Sequence, residues 1–233
     1  MRNVKPILMN AAMVQATLRE IETHGTGKTQ TRRIIKPQPV DTGVSWQFDL
    51  KGKRSACFSN FPYEKFNGRE FGVVEYCPYG KPGDLLYAKE TWTHTGTGVW
   101  TTQDALKALD GKIEYRASND IPGASWFPSI FMFRNFSRIT LEITDIKVER
   151  LQDICPPDCW AEGIVETDFY QEALEHASAI GGCTANLPHE CFQHLWTSIN
   201  GPESWDANPW VWVVSFKPHL INVDQMIKER AAA

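Results

Sequence analysis

The residues best equipped for chemistry lie in one ten-residue stretch, HGTGKTQTRR, at positions 24–33. It holds an amine, Lys28, a hydroxyl three residues later, Thr31, and two guanidinium groups, Arg32 and Arg33. A spacing of three lets Lys28 and Thr31 share a face if the loop makes a helical turn. An amine whose pKa is depressed by burial or by neighbouring cations accepts protons, and beside Thr31 it would turn the hydroxyl into a nucleophile. Arg32 and Arg33 suit phosphate, which their forked N–H groups can grip. The same residues also describe a solvated basic turn with surface ion pairs, and spacing alone does not separate the two readings.

Gly27-Lys28-Thr29 ends like a nucleotide phosphate loop, whose glycines let backbone N–H groups curl around a phosphate. The first glycine of that pattern would stand at position 22, which is Glu22, and a carboxylate there repels phosphate. The preceding AMVQATLREIETH spaces Met13, Leu18 and Ile21 near a helical period, so the loop follows a helix instead of a strand. A phosphate-loop ATPase is therefore not expected.

Two carboxylates stand beside aromatic residues: Glu90 in AKETW, with Lys89 and Trp92, and Glu162 in WAEGI. Each falls at the end of an expected element, where a carboxylate is either a solvated cap or a site group. Nine tryptophans are a heavy load for this chain; some could stack on bases, although tryptophan more often fills a core. Arg32, Arg33, Lys89, Glu90 and Trp92 are the candidate nucleic-acid or ligand contacts. Cys155-x-x-x-Cys159 and Cys191-x-x-His194 invite a zinc site, but Pro156 and Pro157 stiffen the first pair and no paired C-x-x-C occurs, so no metal or cofactor is expected. H-E-x-x-H and G-x-S-x-G are both missing, which removes the commonest metalloprotease and esterase signatures.

These residues need elements to hold them. A chain of 233 residues, 42% hydrophobic, can bury a sizeable core, and one elaborated domain over 1–230 is the favoured organisation. A net charge of −4 excludes a generally basic nucleic-acid coat, so any polyanion site is local. Six cysteines without a secretory leader read as reduced thiols of a cytoplasmic protein, and the longest apolar run, WVWVV, is too short to span a membrane. The periodicity predicts a helix over 5–24, an extended exit through Pro37 and Pro39, and a turn at Pro82-Gly83 leading into a strand over 85–90. SRITLEITDIKVERL alternates as a half-buried strand, and the shift of apolar parity to Ile146 and Val148 implies a bulge or bend. CPPDCWAEGI reads as a short helix opened by prolines and closed by Gly163. PHECFQHLWTSIN reads as a helix with Phe192, Leu195, Trp196 and Ile199 on one face. PWVWVVSFK, apolar on both faces, reads as a central strand. Segments near 41–75, 95–135 and 165–187 read as insertions, and the terminal Ala231-Ala232-Ala233 is left outside the fold. The result is an α+β chain, a small curved mixed sheet or barrel with flanking helices.

Taken in order, GKTQTRRIIKP, CPYGKPGDLLYAKETW, ITLEITDIKVERLQDI, WAEGI and LWTSINGPESWDANPWVWVVSFK resemble the ASCH domain family of the PUA-like superfamily. They look most like the long form carried by bacteriophages and prophages, sometimes labelled a morphogenetic protein. The resemblance implies a small β-barrel with flanking helices and a cleft for RNA, single-stranded nucleic acid or a modified nucleoside, in the cytoplasm of a bacterial host. Small bacterial relatives remove the acetyl group from N4-acetylcytidine with a lysine, a threonine three residues later and a glutamate in the helix after the central strand. Carried over by motif, these fall on Lys28, Thr31 and Glu162. Two further readings stand beside amide hydrolysis: a non-catalytic RNA- or DNA-binding module, and a phage protein that contacts a host or phage partner through its aromatic insertions. Some relatives are ribonucleases, which is a further alternative.

Overall fold

The computed structural model describes residues 3–36, 38, 44–48, 54–58, 77–119, 121–180 and 186–232. In chain order the elements are β1 (Val4–Leu8), α1 (Ala11–Glu22), β2 (Gln30–Ile34), β3 (Val44–Phe48), β4 (Arg54–Phe58), β5 (Leu85–Lys89), β6 (Trp92–His94), α2 (Thr102–Lys107), β7 (Ile113–Tyr115), β8 (Thr140–Arg150), α3 (Pro156–Ala161), α4 (Asp168–Ile180), α5 (Leu187–Asn200), β9 (Trp210–His219) and α6 (Val223–Ala232). Five strands form the main sheet in the order β1-β5-β8-β9-β2, with β1 parallel to β5 and the other neighbours antiparallel. β3 pairs with β4, and β6 with β7, as separate two-stranded ribbons. The α+β class is therefore as expected.

The sheet is not a closed barrel, which corrects the barrel alternative. It curls instead: β1 and β2 are its opposite edges, yet Arg33 Nη2 on β2 donates to the carbonyl of Leu8 on β1 at 2.8 Å. The expected helix over 5–24 is also corrected. Residues 4–8 form an edge strand, and Asn10 starts α1 afresh by accepting from the Met13 N–H at 2.9 Å. Pro37 and Pro39 lie outside the described residues. Pro82-Gly83 makes the expected turn, closed by Asp84 N–H donating to the Lys81 carbonyl at 2.9 Å, and β5 follows.

β8 carries the expected bulge, and the bulge decides which side chains go where. Its pairing with β9 slips between Ile143 and Asp145. With one residue added, Leu141, Ile143, Ile146 and Val148 all join the core that packs on α1, and Lys147 and Glu149 are turned to the opposite face. β9 lies between β8 and β2, as its two apolar faces demanded. Trp212, Val214 and Phe216 enter the α1 core, while Val211 and Val213 enter a second core with α3 and α5. α5 buries Phe192, Leu195 and Trp196, but Ile199, expected on the same face, is 45% exposed. α6, which no sequence pattern had indicated, covers Leu85 with Val223 and Met226 and takes in Ala231 and Ala232. No described helix is long and apolar enough to cross a membrane.

Candidate functional site

Lys28 sits where the chain passes between α1 and α3. Its own N–H donates to the Ala16 carbonyl of α1, and the next N–H, of Thr29, donates to the Ala161 carbonyl of α3, both at 2.9 Å. Two glycines permit this approach. A Cβ on Gly27 would lie 2.2 Å from the Ala16 carbonyl oxygen, and one on Gly163 would lie 2.6 Å from the Ala16 Cβ and 3.1 Å from the Lys28 Cβ. Gly163 also adopts a left-handed φ of 81°, which ends α3 and leaves Glu162 at its C-terminus.

Lys28 is wholly buried. Its ammonium donates to the Glu162 carboxylate at 2.8 Å and to the Glu162 main-chain carbonyl at 2.7 Å. Burial lowers its pKa, and the charge of Glu162 offsets only part of that effect. The second Glu162 oxygen accepts from Arg32 Nη1 at 3.1 Å, so each carboxylate oxygen has its own cation. Arg32 goes on to meet Gln30, Glu149 and Asp158, and Lys147 joins Asp158 and Glu149. Burial works against the Arg32 charge, but Glu162, Glu149 and Asp158 outweigh it and hold the guanidinium more firmly protonated than usual. Three cations and three carboxylates thus share one network, balanced in charge, which is buried at Lys28, Arg32 and Glu162 and reaches the surface at Lys147.

Thr31 does not join this network. Alternation along β2 turns it to the face opposite Arg32, across from Val214 of the α1 core. Its hydroxyl is fully buried and has no hydrogen-bond partner among the described residues, Lys28 included. The helical turn that would have aligned Lys28 and Thr31 is absent, because residues 30–34 are a strand.

A cleft runs from β2 toward the facing edge of β1. Its inner lobe, about 310 Å³, lies along β2 beside α5 and has Arg32, Arg33, Lys36, Glu162, Tyr79 and Trp196 in its walls, so the charge network reaches it through Arg32 and Glu162. Lys28 and Thr31 are not in those walls. Arg33 meets no carboxylate among the described residues, and Lys36 is exposed. Sequence reasoning missed Lys36, Tyr79 and the β1 edge. Only their convergence in space marks them, and no motif carries it.

The other expected contacts lie elsewhere. Glu90 is 1% exposed and receives both Arg138 Nε at 2.9 Å and Arg138 Nη2 at 2.8 Å. Burial pushes its pKa up, and Arg138 only partly counters this. Trp92 is fully buried among Phe127, Phe136 and Phe133, with ring centroids at 4.9, 5.1 and 6.5 Å, and is a core residue with no face open for stacking on a base. Lys89 donates to the Ile130 carbonyl. None of the three is in the walls of the inner lobe.

The glycine loop resolves in a way that spacing could not show. The N–H groups of Gly25 and Gly27 do form an anion cradle, but the Glu20 carboxylate fills it, at 3.0 and 2.9 Å, with His24 Nδ1 at 2.6 Å. Burial acts to raise the Glu20 pKa, yet those amides and His24 hold it below the usual range. As for zinc, no group of three His, Cys, Asp or Glu residues among those described is arranged to hold a metal. Cys159 and Cys191 pack in the second core, where burial pushes their thiols up to about 12 and about 11. Cys77, Cys155, Cys159 and Cys191 form no disulfide; Cys183 lies outside the described residues.

No protein-family model, no curated protein and no solved structure matches this chain.

Proposed function

We propose that the protein binds a nucleoside or single-stranded nucleic acid in the cleft between β1 and β2, as expected for a member of the ASCH family. One observation carries the reading: Arg33 and Lys36, cations without a described carboxylate partner, share a cavity with Tyr79, an aromatic residue only partly buried. Phosphate needs the cations and a base needs the ring. The lobe is of small-ligand size. Lys36→Gln should weaken binding of a single-stranded RNA oligonucleotide and reduce its salt slope by about one unit. Unchanged affinity and slope for both Lys36→Gln and Arg33→Gln would remove the reading.

Amide hydrolysis of an acylated base is the second reading. It is supported by the depressed pKa of Lys28 and by Glu162, which joins Lys28 to the cleft wall. In that chemistry Lys28 takes a proton, Thr31 attacks the carbonyl, and Glu162 holds the lysine or protonates the leaving amine. Ligand entry must then uncover Thr31 and Lys28, since neither lines the lobe. Arginine cannot accept the proton, so Lys28→Arg should abolish any hydrolysis of N4-acetylcytidine while affinity stays within about tenfold. Turnover retained by that variant would remove Lys28 as the base, and no turnover by the wild type leaves binding as the function.

A further inference from the structure

The inner lobe adjoins a second, larger one. This second lobe, of about 550 Å³, lies along β1 from Pro6 to Asn10 and reaches Thr91 and Ser129. The two lobes share four wall residues, Met13, Arg33, Tyr79 and Ile199. Three of these are apolar or aromatic and form a waist; the fourth is a cation. Each lobe falls within the ~300–1,000 Å³ range of small-ligand sites. A single nucleoside would therefore leave one lobe empty.

Arg33 is held at that waist. One guanidinium nitrogen is spent on the Leu8 carbonyl at 2.8 Å, which fixes the side chain across the gap between the two edge strands. An arginine has five N–H donors in a planar fork. The remaining donors have no described carboxylate to meet, and Arg33 lines both lobes. Arg32, one residue earlier, is the opposite case, since Glu149, Asp158, Glu162 and Gln30 consume its donors. The alternation of β2 thus sends one arginine into a neutral network and leaves its neighbour at the neck of the cavity with no carboxylate partner among the described residues.

Resting on the nucleic-acid reading above, we infer that the cleft takes two successive nucleotides of a single strand. One base occupies each lobe, and the phosphate that joins them lies on Arg33. The backbone of the strand crosses the waist, and Tyr79 and Ile199 separate the two bases. The recognised unit is a dinucleotide step, and a free nucleoside is a half-ligand.

The experiment compares cytidine, the dinucleotide CpC, and CpC with its link replaced by an uncharged methylphosphonate, by calorimetry at fixed salt. CpC should bind at least about tenfold more tightly than cytidine, and the methylphosphonate should lose most of that gain. In Arg33→Gln, with folding checked by circular dichroism, the gap between CpC and cytidine should shrink to within about twofold. Replacing Ile199 by Trp, at an exposed position of the waist, should lower CpC affinity by a larger factor than cytidine affinity. Equal binding of cytidine and CpC would overturn the two-nucleotide inference while leaving a nucleoside site intact. A full CpC advantage in the methylphosphonate or in Arg33→Gln would overturn the role of Arg33. Binding of none of the three probes would defeat the nucleic-acid reading itself.

Discussion

Glu162 and Glu90 are both buried carboxylates at the end of a short stretch of regular structure, and both are ion-paired. Their surroundings differ. Glu90 has one partner, Arg138, which lies 4.0 Å over the Tyr115 ring in an aromatic cluster built from the 92–136 segment. Glu162 has two cations, belongs to a six-member network, and reaches a cavity wall. The first pair ties a peripheral cluster to the end of β5. The second sits at the junction of α1, β2 and α3, beside the cleft. Burial and a strong ion pair are thus common to a structural and a candidate functional group; contact with a cavity distinguishes them.

The strongest way to break this comparison is to remove each carboxylate. Glu162→Ala would leave Lys28 wholly buried beside Arg32 with no carboxylate of its own, and it should cost about 3–5 kcal/mol in urea unfolding and abolish cleft binding. Glu162→Gln, which keeps the volume, should fold well enough for its binding to be measured. Glu90→Ala should also destabilise, by about 3 kcal/mol, yet leave ligand affinity within about twofold. If Glu90→Ala weakened binding as much as Glu162→Gln does, the division into structural and functional carboxylates would be lost.

Acid titration sharpens the contrast through opposite signs. Burial tends to raise the pKa of Asp158 in the Glu162 network, but Lys147 and Arg32 outweigh it, so the folded value is lowered. The unfolded state then binds more protons, and the Asp158 contribution is complete above about pH 4 and disappears as pH falls through the lowered folded value. Glu90 has a raised folded value, so its contribution is largest in acid and declines as pH rises from about 4 through that value. The stability of wild type minus Asp158→Asn should therefore grow with pH in this range, and wild type minus Glu90→Gln should shrink. Urea midpoints measured between pH 3 and 7 that move the same way for both variants would contradict the assignment.

The smallest expected change concerns Thr31. Its hydroxyl is buried without a partner among the described residues, so Thr31→Val should be neutral or stabilising by up to about 1 kcal/mol. A loss above about 1 kcal/mol would reveal a hydrogen bond that the hydroxyl makes in solution. Thermal unfolding reads this directly, and the same variant reports on any hydrolysis.

Much of the fold was legible where local chemistry is decisive. The parity shift before Ile146 required a bulge, Pro156 and Gly163 bracketed α3, and WVWVV could only be a strand covered on both faces. Lys28 and Glu162, 134 residues apart, were matched through the family resemblance, and they do meet. The expected Lys28–Thr31 contact is not made, because three-residue spacing aligns side chains on a helix, whereas on a strand neighbouring positions alternate and the Lys28 side chain is held in a loop. Residues 4–8 were absorbed into a helix because a short edge strand is recognised by its partner, β5, which lies 81 residues away in register.

By itself, the order of apolar and polar residues determined that this chain forms an α+β structure with β9 in the interior of its sheet, because burial on two faces leaves a strand no other place. Only the tertiary structure decided what the basic stretch at 24–33 does. It turned Glu20 into the anion of the glycine loop, drew Arg32 into a balanced network, and curled the sheet until Arg33 faced β1 across a cleft. The physical reason is that an anion cradle or a free cation is defined by which groups remain unpaired after folding. That depends on partners distant in sequence, and spacing does not record it.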